Sequence, residues 1–193
     1  IVIDMQGAQS ASRTRGIGRY SMAFAEALVR NRGTHEVWLA LNGLFPETIM
    51  PIREAFAGLL PRHRVRVWEA PGPVAAIDGN RERRQRAELV YEAFLASLDP
   101  DIVHVTSLFE GFVDDAVTSI GALGRTFPTS VTLYDLIPLH DPDRFLRPNP
   151  TAEAHYLGKL DALRRADLLL AISDFTARDA RDRLGLGEDL VVN

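Results

Sequence analysis

The sequence predicts an α/β fold, a Rossmann-like, doubly wound and mostly parallel sheet of about seven strands with helices on both faces. Two observations support this prediction. Short apolar runs alternate along the chain with segments in which apolar residues recur at helical spacing, the pattern typical of right-handed βαβ units. The 193 residues suffice for one large α/β domain, and no repeat, low-complexity segment or interior linker divides them. Residues 1–193 are therefore expected to form a single domain.

The strands are predicted where apolar residues run without polar alternation, as in strands that are buried on both faces. These runs lie at residues 1–4, 37–41, 65–68, 102–105, 131–133, 168–172 and 190–192. The chain begins inside the first run and ends just after the last one. We therefore expect both ends to be cut from a longer protein.

Helices are predicted where apolar positions follow helical spacing, at residues 17–29, 46–60, 81–98, 113–124, 151–166 and 174–184. Gly33 is expected to close the first of them, and Ser173 is expected to cap the last. An irregular, proline-bearing stretch is expected from Tyr134 to Pro150. Because parallel sheets bind ligands beyond the carboxyl ends of their strands, the loops that follow strands are the candidate sites.

The composition excludes several classes of protein. With 46% hydrophobic and 25% charged residues, the chain is globular rather than disordered, and a net charge of −4 argues against a nucleic-acid binder. The absence of cysteine excludes disulfides, thiolate zinc sites and a cysteine nucleophile, and it fits a reducing compartment. No apolar run approaches the roughly 18 residues that span a bilayer, and no signal peptide is visible. We expect a cytoplasmic location.

The stretch SRTRGIGRY at residues 12–20 opens the first helix with two glycines among three arginines. Free N–H groups and the helix dipole favour an anion there, glycine lets a phosphate approach the backbone, and arginine supplies donors. A dinucleotide site is disfavoured, because Ser21 stands where its fingerprint requires a third glycine. Glycines that only shape a turn are the alternative. The candidate phosphate contacts are Arg15, Gly16, Gly18 and Arg19.

Two further strand-end loops hold candidate side chains. Glu110 follows the fourth strand between two apolar or small residues, a setting that would raise its pKa, although a solvated loop carboxylate is the alternative. Asp135 directly follows the fifth strand, where open α/β sheets present functional carboxylates. His140 and Asp141 lie nearby in sequence, but a proline intervenes and no regular element aligns them with Asp135, so no metal site is expected.

The run RERRQR at residues 81–86 is the densest basic segment of the chain. Arginine at the start of a helix opposes the helix dipole, which suggests another reason for its presence. Contact with the anionic inner face of the cytoplasmic membrane is one explanation, and an ordinary solvated helix face is the other.

Four segments of the chain form a specific combination, because their order and spacing say more than any one of them alone. They are RGIGRY at 15–20, DIVHVTSLFEG at 101–111, TLYDLIPL at 132–139 and ADLLLAISDFTARD at 166–179. Together they resemble the N-terminal domain of the GT-B-fold glycosyltransferases of family 4, and the resemblance covers almost the whole chain. The chain looks most like the mannosyltransferase-type members that build bacterial O-antigen or capsular polysaccharide.

The resemblance implies a retaining transferase that moves a sugar from a nucleotide-sugar, such as GDP-mannose, to a saccharide or lipid-linked acceptor without a metal or cofactor. It implies that this domain holds the acceptor, that a C-terminal domain absent from the chain binds the donor, and that the chain alone is inactive. The glycine loop would contact the donor diphosphate, and Asp135 and Glu110 would be catalytic. The other side chains expected in the cleft are Tyr20, Thr106, Ser107, Tyr134, His140 and Ser173.

Two departures from the family pattern limit this transfer of roles. Many members have a histidine near the end of the fourth strand, where Thr106 or Ser107 stands here. Many also have His-Asp after the fifth strand, where this chain has Tyr134 and Asp135. No histidine role is therefore carried over. A non-catalytic module that binds a saccharide or nucleotide, such as a degenerate half of a tandem transferase, is the alternative function.

Overall fold

The computed structural model describes residues 1–193 and places seven strands close to where the apolar runs predict them. The strands are β1 (Val2–Asp4), β2 (Trp38–Asn42), β3 (Val65–Trp68), β4 (Val103–Val105), β5 (Thr129–Leu133), β6 (Leu168–Ala171) and β7 (Val191–Val192). They form one sheet in the order β3-β2-β1-β4-β5-β6-β7, and every neighbouring pair is parallel. The strand order reverses between β1 and β4, which is the switch point of a doubly wound sheet.

Seven helices connect these strands. No helix has both the length and the apolar composition needed to cross a membrane. The second helix ends earlier than the spacing predicts, because the chain turns at residues 56–59. The helices are α1 (Gly16–Arg30), α2 (Pro46–Ala55), α3 (Arg81–Ala96), α4 (Ile137–His140), α5 (Pro142–Phe145), α6 (Pro150–Leu163) and α7 (Asp174–Leu184).

The two faces of the sheet bury separate apolar cores, which confirms the doubly wound prediction. On one face, Ile3 and Leu39 of the sheet belong to the same core as Val29 of α1 and residues of α2. On the other face, the sheet packs against α3, α6 and α7, with Tyr91 and Leu163 fully buried. Alternate residues of β1 and β2 face opposite cores, as the period of a strand requires.

The predicted helix over residues 113–124 is wrong, and this segment is irregular. Several of its peptide groups bind side chains from other parts of the chain. The Gln6 side chain accepts from the Val117 N–H at 2.7 Å and donates to the Val117 carbonyl at 2.6 Å. The Glu92 carboxylate accepts from the Ala122 N–H at 2.9 Å. Side chains that are distant in sequence pair the backbone N–H and C=O groups as well as a helix does. The spacing of apolar residues cannot reveal such partners.

The stretch from Tyr134 to Pro150, expected to be irregular, contains the single-turn helices α4 and α5. Each has a proline in its first turn, where the missing N–H costs no hydrogen bond. Asp141 caps α5 by accepting from the Arg144 N–H at 3.2 Å. Ser173 caps α7 in the same way, as predicted, with its hydroxyl 3.1 Å from the Thr176 N–H.

Candidate functional site

A cleft of about 400 Å³ opens at the carboxyl edge of the sheet, where the loops after β1, β4 and β5 meet. This is the switch point of the strand order, the position at which open α/β sheets bind ligands. The cleft brings together residues that the sequence predicts for the site, namely Arg15, Ser107, Glu110, Tyr134 and Asp135.

Glu110 lies on the wall of this cleft and is only 8% exposed. The Ser107 hydroxyl donates to its carboxylate at 2.9 Å and fixes its orientation. Burial raises the pKa of Glu110, and the charge of Asp114 acts in the same direction, whereas the hydroxyls of Ser10 and Ser107 oppose the shift. The expected direction of this pKa shift is confirmed. A carboxyl group of this kind, partly buried and in a cleft, suits proton transfer or tight hydrogen bonding to a substrate.

Asp135 lies at the exposed side of the cleft. One oxygen of its carboxylate accepts from the Ile137 N–H at 3.0 Å, and the second oxygen remains available. The position follows from the sequence, because the residue comes two positions after the end of β5.

Tyr134 connects three parts of the cleft. Its hydroxyl donates to the Thr106 carbonyl at 3.1 Å and lies 3.4 Å from both the Ile17 carbonyl and the Ser21 hydroxyl. Burial raises the pKa of Tyr134 to about 12, so its phenol stays protonated and remains a donor. The Thr176 hydroxyl donates to the Tyr134 carbonyl at 3.1 Å, which attaches α7 to the same point.

The glycine loop leaves two N–H groups without an acceptor at the start of α1. Gly16 and Ile17 begin the helix, so they have no partner within it, and neither donates elsewhere in the protein. The Gly18 N–H is different, because it donates to the Ser12 carbonyl at 3.2 Å. Arg15 lines the cleft and, like Arg19, is exposed and forms no ion pair, so both cations are available to a ligand.

Gly18 and Gly111 are required by close backbone contacts. A Cβ atom on Gly18 would collide with the Arg13 carbonyl, which lies against the first turn of α1. A Cβ atom on Gly111 would collide with the Ala116 carbonyl, and Gly111 also has a φ of +89°. In contrast, a Cβ atom on Gly16 would meet no atom within 4 Å.

Four predicted cleft residues lie beside the cleft rather than on its walls. Thr106 is buried, and its hydroxyl donates to the Asp4 carbonyl at 2.8 Å, because it faces the neighbouring strand. Tyr20 lies on the outer side of α1, where its ring meets the Tyr134 ring edge-on at 5.6 Å. Ser173 uses its hydroxyl to cap α7.

The fourth, His140, binds α7 instead of the cleft. Its Nε2 lies 2.8 Å from the Asp179 carboxylate, and Arg183 donates to its Nδ1 at 2.8 Å. The guanidinium of Arg183 has only donors, so Nδ1 is the acceptor in this contact. Asp135 and Asp141 do not join this group, and no group of three or more histidine and acidic side chains is placed to hold a metal ion.

The first loop is shaped by buried polar residues that the sequence did not predict. The Asn42 side chain donates to the Gln6 side chain at 2.9 Å, and the Gln9 side chain donates to the Thr48 hydroxyl at 2.8 Å. All three amide side chains are fully buried. Their signal in the sequence was weak, because polar residues after a strand usually face solvent.

Asp114, Phe109 and Tyr156 also line the cleft, although the sequence did not predict them as site residues. Asp114 accepts from the Ala11 N–H at 2.6 Å and so joins the first loop to the loop after β4. Phe109 and Tyr156 place their ring centroids 5.0 Å apart. Tyr156 belongs to α6, and only the tertiary fold brings it to the cleft.

A sequence model of Glycosyltransferase Family 4 matches residues 14–192, which is nearly the whole of this chain. The chain belongs to glycosyltransferase family 4. This membership confirms the resemblance that the four sequence segments carry. In this family-4 chain the segments form α1, the ends of β4, β5 and β6, and the start of α7, so the fold brings them to one edge of the sheet.

The curated relatives of this family-4 chain are mannosyltransferases. It is 35% identical over 195 aligned residues to the Serotype-specific mannosyltransferase WbdA of Escherichia coli, an alignment that covers 100% of the chain and 23% of the relative. A second Escherichia coli protein of the same name is 32% identical over 171 residues, which cover 88% of the chain and 21% of that relative. The chain thus spans less than a quarter of the length of these relatives.

Proposed function

We propose that this family-4 chain is the acceptor-binding domain of a retaining glycosyltransferase. The complete enzyme would move mannose from GDP-mannose to a saccharide or lipid-linked acceptor during the synthesis of a bacterial surface polysaccharide. The names of the relatives support the choice of sugar. The family membership supports glycosyl transfer as the type of reaction.

The observation that carries the proposal is the combination of groups in the cleft. The start of α1 offers two free N–H groups beside Arg15, which suits the diphosphate of a nucleotide-sugar. The same cleft offers Glu110 and aromatic rings, which suit the hydroxyl groups and apolar face of a sugar. A donor and an acceptor could therefore meet in one cleft.

In this proposal each group has a distinct task. Arg15, Gly16, Gly18 and Arg19 form the donor side, although Gly18 serves it through the shape of the loop. Glu110 and Asp135 accept hydrogen bonds from the acceptor hydroxyl and hold it in position for attack on the donor sugar. The leaving diphosphate is stabilised by the helix end and the arginines rather than by a metal ion. The reaction proceeds on one face of the sugar without a protein nucleophile.

The proposal includes a second domain that binds the nucleotide-sugar, because the relatives are more than four times as long as the part that this chain matches. It also includes a cytoplasmic location. Peripheral contact with the membrane would involve Arg81, Arg83 and Arg86 of α3, which are exposed. Arg84 is excluded from that contact, because it is buried and donates to the Gly111 carbonyl.

Transfer from GDP-mannose to a saccharide acceptor, measured with the complete protein and with this chain alone, tests the proposal. We expect turnover by the complete protein, no turnover by the chain, and a loss of at least about tenfold in kcat for Glu110→Gln. If the folded complete protein transfers sugar from none of the common nucleotide-sugars, the proposal fails. A non-catalytic binding module would then be the better interpretation.

A further inference from the structure

The walls of the cleft are unequally charged. Three carboxyl groups line it, those of Glu110, Asp114 and Asp135, whereas Arg15 is the one basic side chain on its walls. None of the three carboxyl groups lies within ion-pair distance of a basic side chain. Their negative charge is therefore not cancelled by a direct partner.

The groups of the cleft that attract an anion belong to the start of α1. Arg15 lies at the start of α1, together with the free N–H groups of Gly16 and Ile17. The carboxyl groups are fixed by other contacts, since Asp114 accepts from the Ala116 N–H at 3.0 Å and Asp135 accepts from the Ile137 N–H at 3.0 Å. An anion in the cleft is thus attracted by the start of α1 and repelled by the three carboxyl groups.

The cations behind the wall do not neutralise these carboxyl groups directly. Arg84 donates to the Gly111 carbonyl, and the buried Lys159 donates to the Thr118 carbonyl. Both side chains bind the connection between β4 and β5, and neither lines the cleft. A second anionic group that entered the cleft away from Arg15 would find no cation to bind.

Aromatic side chains stand beside the carboxyl groups. Phe109 and Tyr156 form a tilted pair, and Phe112 also lines the cleft. A pyranose ring has a face of C–H groups that packs against an aromatic ring, and its hydroxyl groups donate hydrogen bonds to carboxylates. These walls therefore suit a neutral sugar.

We infer that the acceptor of this enzyme ends in an uncharged sugar, and that the cleft excludes acceptors whose terminal residue has a carboxylate or a phosphate. This inference rests on the proposed function, because it places the acceptor beside the carboxyl groups of the cleft. The donor diphosphate is the one anion that the cleft accepts, and it binds at the start of α1. Placing a second anion against Glu110 and Asp114 brings like charges together in a partly buried site, which is costly.

The test compares acceptor disaccharides that end in mannose, in glucuronic acid or in mannose 6-phosphate, with the complete protein and saturating GDP-mannose. We expect kcat/KM for the two anionic acceptors to be at least about tenfold below that for the neutral one. The difference should shrink at high salt, because salt screens charges near the surface.

Variants of the carboxyl groups locate the cause of this selectivity. Glu110→Gln and Asp135→Asn preserve the acceptors of the existing hydrogen bonds and remove charge, so each should narrow the ratio of neutral to anionic kcat/KM several-fold, whatever its effect on the absolute rate. The matched control is Glu26→Gln on the exposed side of α1, which should leave the ratio unchanged. Equal use of neutral and anionic acceptors overturns the inference, as does an unchanged ratio in both variants.

A binding experiment separates failure of the inference from failure of the proposed function. Ligand-observed NMR of this chain would compare methyl α-mannopyranoside with methyl glucuronide. If no transfer is found with any acceptor, the proposed function fails, and preferential binding of the neutral glycoside still supports a neutral-sugar site. Binding of the glucuronide with equal or higher affinity overturns the inference whether or not transfer occurs.

Discussion

Gly16 and Gly18 are two residues apart, yet they serve different purposes. Gly18 lies against the Arg13 carbonyl, where any Cβ atom would collide, and its N–H is already bonded to Ser12. Gly16 faces open space, and its N–H is free. The sequence presents both glycines as one phosphate motif, but the structure separates a packing residue from a residue exposed to the ligand.

We predict opposite effects for alanine at these two positions. Gly18→Ala should lower the free energy of unfolding by roughly 1–3 kcal/mol, because the loop must move to admit the methyl group. Gly16→Ala should not lower stability, but it should raise the KM for the nucleotide-sugar if a phosphate approaches that backbone. Thermal unfolding and donor kinetics measure the two effects. A Gly18→Ala variant as stable as the parent would contradict the assignment.

The hydroxyl of Tyr134 provides a second prediction. Tyr134→Phe removes the donor to the Thr106 carbonyl and the contact with the start of α1, so stability should fall by roughly 1–2 kcal/mol. We also expect the KM for the nucleotide-sugar to rise more than kcat falls, because the start of α1, which carries the free N–H groups, loses its contact with the Tyr134 hydroxyl. Tyr20→Phe is the control, since the Tyr20 ring also borders this region and its hydroxyl makes no hydrogen bond. Equal effects of the two variants would disprove the prediction.

At this scale the sequence predicted the residues that follow strands and missed those that reach the cleft from elsewhere. Glu110 and Asp135 were found because a parallel sheet places the residues after β4 and β5 at one edge. Tyr156 could not be found, because its position depends on how α6 packs against the loop after β4. The family resemblance places His140 in the cleft, but its bond to Asp179 directs it to α7.

Among the elements, the strands were predictable and the segment between β4 and β5 was not. Buried parallel strands show as uninterrupted apolar runs, so local sequence suffices to locate them. The segment over 113–124 has helical spacing, yet Gln6 and Glu92 provide partners for its peptide groups. Its conformation is decided by contacts that only the folded chain creates.

The start of α3 illustrates the same limit and gives a third prediction. Arg84 is buried against the Gly111 carbonyl, and the Glu82 carboxylate lies 3.5 Å from the Arg86 guanidinium. The surface of α3 is therefore less basic than the run of arginines suggests. If α3 contacts the membrane, replacing Arg81, Arg83 and Arg86 together by glutamine should reduce co-sedimentation with vesicles that contain anionic lipid. The effect should be lost at high salt.

A matched triple variant makes this test specific. Arg30, Arg144 and Arg147 are also exposed, and their replacement by glutamine changes the net charge equally. We expect that variant to bind vesicles like the parent. Equal binding by both triple variants would show that α3 is an ordinary solvated helix.

The whole molecule combines two apolar cores with a polar layer beneath the cleft. Asp4 ends β1 at the bottom of this layer and is completely buried. One of its carboxyl oxygens accepts from the Gln6 side chain at 3.1 Å, and the other has no hydrogen-bond partner. Burial raises the pKa of Asp4 from 3.8 to about 7, with the Gln6 hydrogen bond acting against the shift. The loop that holds the start of α1 is thus built on a carboxyl group that favours its neutral form.

This property predicts how the stability of the whole molecule depends on pH. Because the folded state raises the pKa, the contribution of Asp4 is most favourable below 3.8 and is lost as the pH rises towards about 7. Asp4→Asn is neutral at every pH and keeps an acceptor for Gln6. The free energy of unfolding of Asp4→Asn, minus that of the parent, should therefore increase by on the order of 2–4 kcal/mol as the pH rises across this window. Denaturant unfolding between pH 4 and pH 8 measures the difference, with the exposed Asp161→Asn as control. A constant difference between Asp4→Asn and the parent over this range would mean that Asp4 is already ionised in the folded protein.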